Sequence, residues 1–285
     1  MRDEAGNIVF EIGEHYRNRL GAYKVLAIKG DTMQVQYVDD GTIDNLTIQV
    51  QQEIIANLER EQPPPGAIDR DRPTFFSYVA ECNKHYRFGH DLGLYQKIIN
   101  MHRTRSGIDA LLDDDSLFPL AWETLDAWNM NQRGAQLTTC HNLSDSVKAH
   151  RPLLRALYPH RLCSITEQQI HSGISKRLRD LFCGLNVMES KRRIVGVSKA
   201  MHFLLPDLVV PIDGTYTLPY FFGYNRYDAS DEAEYDTFEY VLLEAHRITR
   251  RLNLTDADVD SQKWNTSVPK LIDNAIIGYF RRPES

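Results

Sequence analysis

Apolar and polar residues alternate from Tyr23 to Ile28 and again from Met33 to Val38, the two-residue period of half-buried strands. Gly30-Asp31 supplies a turn between them, and Asp39-Asp40-Gly41 is a hairpin signal ahead of a third strand over 42–48. Residues 49–61 then carry Ile54, Ile55 and Leu58 on one helical face, which predicts a closing helix. The tract Gln62-Pro63-Pro64-Pro65-Gly66 with Asp69-Arg70-Asp71-Arg72-Pro73 is stiff, polar and helix-breaking, so a linker is expected over 62–73. Beyond it the apolar spacing changes to three and four residues. Helices are predicted over 74–86, 93–102, 117–130, 145–158, 167–183, 198–205, 231–252 and 268–280. The clearest stripe is Tyr235, Phe238, Val241, Leu242, Ala245, Ile248 and Leu252.

The run from Tyr16 to Gly41 resembles the SH3-like or Tudor-like barrels appended to bacterial nucleic-acid enzymes. The expected architecture is therefore a small SH3-like or Tudor-like β-barrel with its helix (1–61), the linker (62–73) and a larger all-helical DNA-binding and catalytic domain (74–285). Barrels of that kind bind through aromatic residues at one end, for which Tyr16, Tyr23 and Tyr37 are the candidates, although most such residues belong to a core.

With 285 residues, 42% of them hydrophobic and 25% charged, the chain has ordinary globular composition and enough length for one sizeable core or two smaller ones. Pro206, Asp207 and Pro211 interrupt the best apolar run, so a soluble, cytoplasmic protein without a membrane partner is expected. Cys82, Cys140, Cys163 and Cys183 lack ligand spacing, and neither a metal nor a cofactor is expected. P-loop, dinucleotide, nucleophile-elbow and zinc-protease motifs do not occur.

Charge is uneven. The formal net charge is −6, yet residues 141–205 hold eleven Lys or Arg against four Asp or Glu. Clusters at Lys148-Arg151-Arg155, Lys176-Arg177-Arg179 and Lys191-Arg192-Arg193 are solvated helix faces or, taken together, a field for phosphates.

The last cluster leads into the most informative stretch. Ser198 is placed to cap a helix from Lys199 that Pro206 ends, and Leu208-Val209-Val210-Pro211-Ile212 delivers one carboxylate, Asp213, ahead of Thr215, Tyr216, Tyr220 and Phe221. Asp213 is either the cap of the next helix or an active-site acid, and the two are compatible.

Gly196-Val197-Ser198-Lys199 followed by Val210-Pro211-Ile212-Asp213 resembles the helix-hairpin-helix DNA glycosylases, without the second glycine of the common hairpin. A closer likeness is to bacteriophage-replication-inhibiting DNA glycosylases. These carry S-K-x-x-H-x-L-L-P-D-L-V-x-P-I-D-x-x-Y-T, present here over 198–217, and W-x-M-N-x-R-G, present over 128–134. The resemblance implies excision of a modified base, such as glucosylated hydroxymethylcytosine, from double-stranded DNA in phage defence. It also implies a catalytic role for Asp213, which would stabilise positive charge on the sugar and position water. Lys199 would either attack the sugar or hold a phosphate; the incomplete hairpin favours the phosphate and hence a monofunctional enzyme. An extruded base needs aromatic walls and amide groups, for which Trp128, Asn131, Tyr216 and Tyr220 are the candidates. Arg133, Lys176, Arg177, Lys191, Arg192, Arg193 and Ser198 are the candidate DNA contacts. A non-enzymatic reader of modified DNA is the alternative, and the oligomeric state is open.

Overall fold

The computed structural model describes residues 8–18, 21–38, 41–61, 66–86, 89–132, 134–223, 230–260 and 263–282. It divides into two compact units, Met1–Pro65 with Leu218–Ala229, and Gly66–Thr217 with Ser230–Ser285.

In the first unit, strands β1 (His15–Asn18), β2 (Gly21–Lys29), β3 (Thr32–Tyr37) and β4 (Ile43–Thr47) form an antiparallel meander in the order β1-β2-β3-β4. The alternation that predicted β2 and β3 sends Tyr23, Val25, Met33, Val35 and Tyr37 inward, where they pack with Ile8 and Phe10. Gly30 takes the positive φ of 61° that the β2–β3 turn demands. Of the expected Asp39-Asp40-Gly41 hairpin, residues 39 and 40 lie outside the described residues.

The expected barrel is corrected to an open sheet. Helix α1 (Ile48–Glu61) packs against both β1 and β4, and Gln51 of α1 accepts a 3.1 Å hydrogen bond from Asn18 of β1, so a helix fills the gap that strand pairing would have closed. Tyr23 and Tyr37 are core residues and Tyr16 packs against them, so among the described residues these three form no exposed aromatic face of the expected kind.

The second unit is helical: α2 (Arg72–His85), α3 (His90–Thr104), α4 (Ile108–Leu112), α5 (Leu117–Ala127), α6 (Cys140–Ala149), α7 (Arg151–Leu157), α8 (Glu167–Gln169), α9 (Ser175–Gly184), α10 (Ile194–Leu204), the start of α11 (Thr217–Phe222), α12 (Asp231–Leu252) and α13 (Val268–Arg281). A π-helical turn over Ile170–Ile174 joins α8 to α9, so the predicted helix 167–183 is continuous but bulged. Helix α2 begins at Arg72, inside the stretch expected to be linker. Residues 62–65 lie outside the described residues, whereas Asp71 already caps α2 by accepting from the Thr74 amide at 2.8 Å, and Arg72 donates to the carbonyls of Leu252 and Asn253.

Two packing relations position the site. Helices α2 and α13 lie so close that a Cβ on Gly278 would stand 1.9 Å from the Tyr78 carbonyl oxygen. Helix α10 is buried along nearly its whole length, and the α12 stripe from Tyr235 to Leu252 is buried as its periodicity predicts. Helix α10 opens at Ile194, four residues before the expected cap. The Glu234 carboxylate of α12 supplies the missing acceptor, taking the Arg193 amide at 3.0 and 3.1 Å, a long-range cap that no local signal announces.

Candidate active site

Lys199 and Asp213 are brought together by the buried backbone between them. Ser198, inside α10 and fully buried, accepts from the Ile212 amide at 3.0 Å, and His202 donates from Nδ1 to the Val209 carbonyl at 2.6 Å. Pinned at those points, the segment after α10 doubles back and sets Asp213 Oδ2 3.4 Å from Lys199 Nζ. Ser198 is therefore neither a helix cap nor a DNA contact, because its hydroxyl is consumed in placing Asp213. His202 is a satisfied core histidine. Burial pushes its pKa down to about 3, so the neutral ring accepts from the Tyr95 hydroxyl at 2.7 Å.

Asp213 also accepts from the Thr215 amide at 2.7 Å, while its own amide donates to Thr217 Oγ1. It holds a turn ahead of α11 rather than capping that helix. Burial raises its pKa, but the Lys199 charge, the backbone amides of Thr215 and Tyr216 and the Lys199 hydrogen bond together outweigh it and hold the carboxyl below its ordinary value.

Both side chains face a cavity of about 170 Å³ lined also by Trp128, Trp264, Tyr216, Lys270, Asp273 and Asn274. Trp128 follows α5, where Asn129 takes φ 64°, a conformation asparagine tolerates better than most residues, and turns the chain away. Its ring lies 5.0 Å from Phe203 and 6.1 Å from Trp264, with Lys199 and Lys270 at 5.6 and 5.7 Å from its centroid. Such cation–π contacts contribute most where water is excluded. Lys270 and Asp273 pair three residues apart on α13, both buried. Two lysines, Lys199 and Lys270, and three aspartates, Asp91, Asp213 and Asp273, thus line one hollow.

Two of these carboxyls are driven in opposite directions. Burial raises Asp273 above its ordinary value, with Asp213 adding to the rise and Lys270 opposing it, while Asp213 is held ionised. Divergent acids in one cleft are the usual mark of divided roles. At the edge of the site the Tyr86 and Tyr216 hydroxyls lie 3.2 Å apart, and the exposed Arg281 guanidinium lies 5.3 Å from the Tyr216 ring.

Of the residues expected from the sequence, the cavity gathers Asp213, Lys199, Trp128 and Tyr216. Asn131 is not among them: it donates to Asp126 and accepts from the Leu137 amide, which fixes the turn after Trp128. Tyr220 lies on the part of α11 that belongs to the first unit. Arg133 lies outside the described residues. Lys176 pairs with Asp180, and the Arg193 guanidinium is held by Asp231 and the Leu185 carbonyl, whereas Arg177, Lys191 and Arg192 are exposed.

Sequence reasoning misses Trp264, Lys270, Asp273 and Asn274. For the last three a signal exists in Val268-Pro269-Lys270-Leu271-Ile272-Asp273-Asn274-Ala275-Ile276, where three polar side chains interrupt an apolar helix three and four residues apart; Trp264, ahead of that helix, has none.

The chain matches no protein family, no curated protein and no solved structure. Its likeness to glycosylases rests on the two sequence motifs alone. Among the described residues, no helix is long and apolar enough to cross a membrane.

Proposed function

We propose that the protein is a DNA glycosylase that removes a modified base from DNA through the Trp128–Trp264 cavity. The observation that carries this reading is an ionised carboxylate, Asp213, fixed on the wall of a hollow with aromatic sides. An apolar cavity of about 150 Å³ accepts benzene, so about 170 Å³ suits the one planar ring of a pyrimidine, and a sugar attached to that base would lie outside the cavity. In base excision the C1′–N bond breaks with its electron pair leaving on the base, and positive charge develops on the sugar. Asp213 stabilises that charge and orients the water whose oxygen bonds to C1′; one water proton is released from the new hydroxyl and the departing base takes up one. The indole rings provide stacking for a base that has left the duplex.

The test is Asp213→Asn against DNA carrying glucosylated hydroxymethylcytosine, with alkali to reveal abasic sites. Release by the parent protein without added metal or nucleotide, and a loss of at least about 100-fold in the folded variant, are expected. Equal release by both proteins would remove Asp213 from the chemistry, and release by neither would leave the non-enzymatic reader.

One observation favours a second reading, in which the enzyme also cleaves the strand. Lys199 is buried at the cavity rather than free to grip a phosphate, which is where an amine that attacks C1′ would stand. Borohydride would then trap the protein on its DNA through Lys199, and Lys199→Arg would abolish the adduct.

A further inference from the structure

At the mouth of the cavity three side chains from three elements meet with more hydrogen-bond donors than acceptors. Tyr86 follows α2, Tyr216 precedes α11 and Arg281 ends α13; all keep accessible surface, Arg281 exposed and the tyrosines half-buried. The Arg281 guanidinium lies 5.8 Å from the centre of the Tyr86 ring and 5.3 Å from that of Tyr216, and it donates to the Tyr86 hydroxyl at 3.3 Å. No carboxylate pairs with it among the described residues, whereas Arg72, Arg151, Arg161 and Arg193 each have one. A guanidinium keeps its charge at any working pH and presents five N–H donors in a planar fork.

The hydroxyls add to the surplus. Tyr86 and Tyr216 carry two O–H protons, and their 3.2 Å contact uses one of them, whichever donates. The other proton has no acceptor among the described residues. Burial and then the hydrogen bond to Tyr86 push the Tyr216 hydroxyl up to about 12, so it stays a donor and forms no phenolate to neutralise Arg281. A cation at the end of α13 suits the helix dipole, but that accounts for neither the two phenols nor the missing carboxylate. The cluster is complementary to an anion with several acceptor oxygens, as a phosphate has.

Position decides which phosphate. The Tyr216 amide lies against the Asp213 carboxylate, and the Tyr86 carbonyl accepts from Trp264 Nε1 at 3.1 Å, so both tyrosines are tied to groups that line the hollow. With C1′ of an extruded nucleotide at Asp213, the phosphates flanking that nucleotide stand only one sugar ring away. The cations inside the cavity, Lys199 and Lys270, are buried and paired with Asp213 and Asp273. Resting on the glycosylase reading, we propose that Tyr86, Tyr216 and Arg281 form a phosphate-binding notch that holds the target strand beside the extruded nucleotide and so sets C1′ against Asp213. The three are positioning residues and take no part in bond breaking.

The experiment replaces one phosphate at a time, in a duplex carrying glucosylated 5-hydroxymethylcytosine, with an uncharged methylphosphonate on the 5′ side of the target, on its 3′ side or at a remote linkage. Binding and single-turnover release are measured with the parent protein, with Arg281→Ala and with Tyr86→Phe/Tyr216→Phe. Both hydroxyls are removed together, because loss of one alone would leave its partner's proton free for the ligand; the rings remain. For the parent, one flanking methylphosphonate should weaken binding or slow release at least about 10-fold, and the remote one should do neither. In Arg281→Ala the same replacement should have a further effect below about 2-fold, since that anion has already lost its partner. The double variant should lose about 3-fold of the sensitivity, the share of a neutral hydrogen bond.

If the parent protein releases the base equally from every duplex, the notch falls while the glycosylase reading stands. Sensitivity that persists unchanged in Arg281→Ala, whatever the overall activity of that variant, assigns the phosphate to another group and also overturns the notch. If a flanking linkage matters to binding and ceases to matter in Arg281→Ala, yet no base is released, excision fails and the notch remains as the phosphate contact of a reader. Failure to bind any of the duplexes would overturn both readings.

Discussion

At the scale of single residues, the structure separates groups that line the cavity from groups that place them. Ser198 and His202 look like surface or core residues in the sequence, yet each spends its polar atoms on the loop that delivers Asp213. The motif over 198–217 was legible because its chemistry is local. Asp273 and Asn274 were not, since a polar residue on an apolar helix shows that it lines a cavity only once the packing around it is known. Glu234 carries the clearest pH signature. Buried at 1% exposure beneath the start of α10, its carboxyl is pushed up to about 7 by burial, although the Arg193 amide opposes the rise. A raised acid means that the folded chain holds a proton the unfolded chain has already released. Stability contributed by this group is therefore full below about pH 4.5 and is lost as pH rises towards about 7, by on the order of 3 kcal/mol. Urea unfolding of Glu234→Gln should show a smaller drop than the parent protein between pH 5 and 7.5. Parallel curves would mean that Glu234 ionises as freely folded as unfolded.

At the scale of elements, periodicity located most of the helices from α2 to α13, gave no range for the short α4 and α11, and misjudged helix ends where a distant group intervened. Helix α10 begins early because α12 caps it, and the predicted helix 145–158 is instead split into α6 and α7 at His150, with Pro152 opening the second. Alternation likewise found β2 and β3 but could not tell an open sheet covered by α1 from a barrel, because closure depends on partners far along the chain. The contact between α2 and α13 is the most exacting. Gly278→Ala would drive a methyl group into the Tyr78 backbone, which cannot swing aside, and should cost at least about 1–3 kcal/mol in thermal or urea unfolding. Gly196→Ala meets only the flexible Met188 side chain and should cost less. Because Lys270, Asp273 and Asn274 ride on α13, the proposed excision should fall in Gly278→Ala even at temperatures where it stays folded.

At the scale of the whole molecule, the charge pattern of the sequence misleads. The excess of cations over 141–205 is largely met by carboxylates in space: Arg151 by Asp109 and Asp113, Arg155 by Asp109, Arg161 by Asp207 and Asp256, and Arg179 by Asp236. A duplex would find fewer cations available than the composition suggests. Arg281, exposed within 5.8 Å of the Tyr86 ring and 5.3 Å of the Tyr216 ring beside the cavity and donating to the Tyr86 hydroxyl, is better placed for a phosphate than the arginines paired with carboxylates. Arg281→Ala should weaken binding to modified and unmodified duplex alike and flatten the salt dependence by roughly 0.9 in log–log slope, as loss of one phosphate contact requires. An unchanged slope would remove it from the interface. The division of the chain has a practical outcome for anyone who trims the gene. Residues 218–223, encoded just downstream of Asp213, group with the amino-terminal unit, so a truncation starting at Gly66 would keep every cavity residue and still part that stretch of α11 from its own unit.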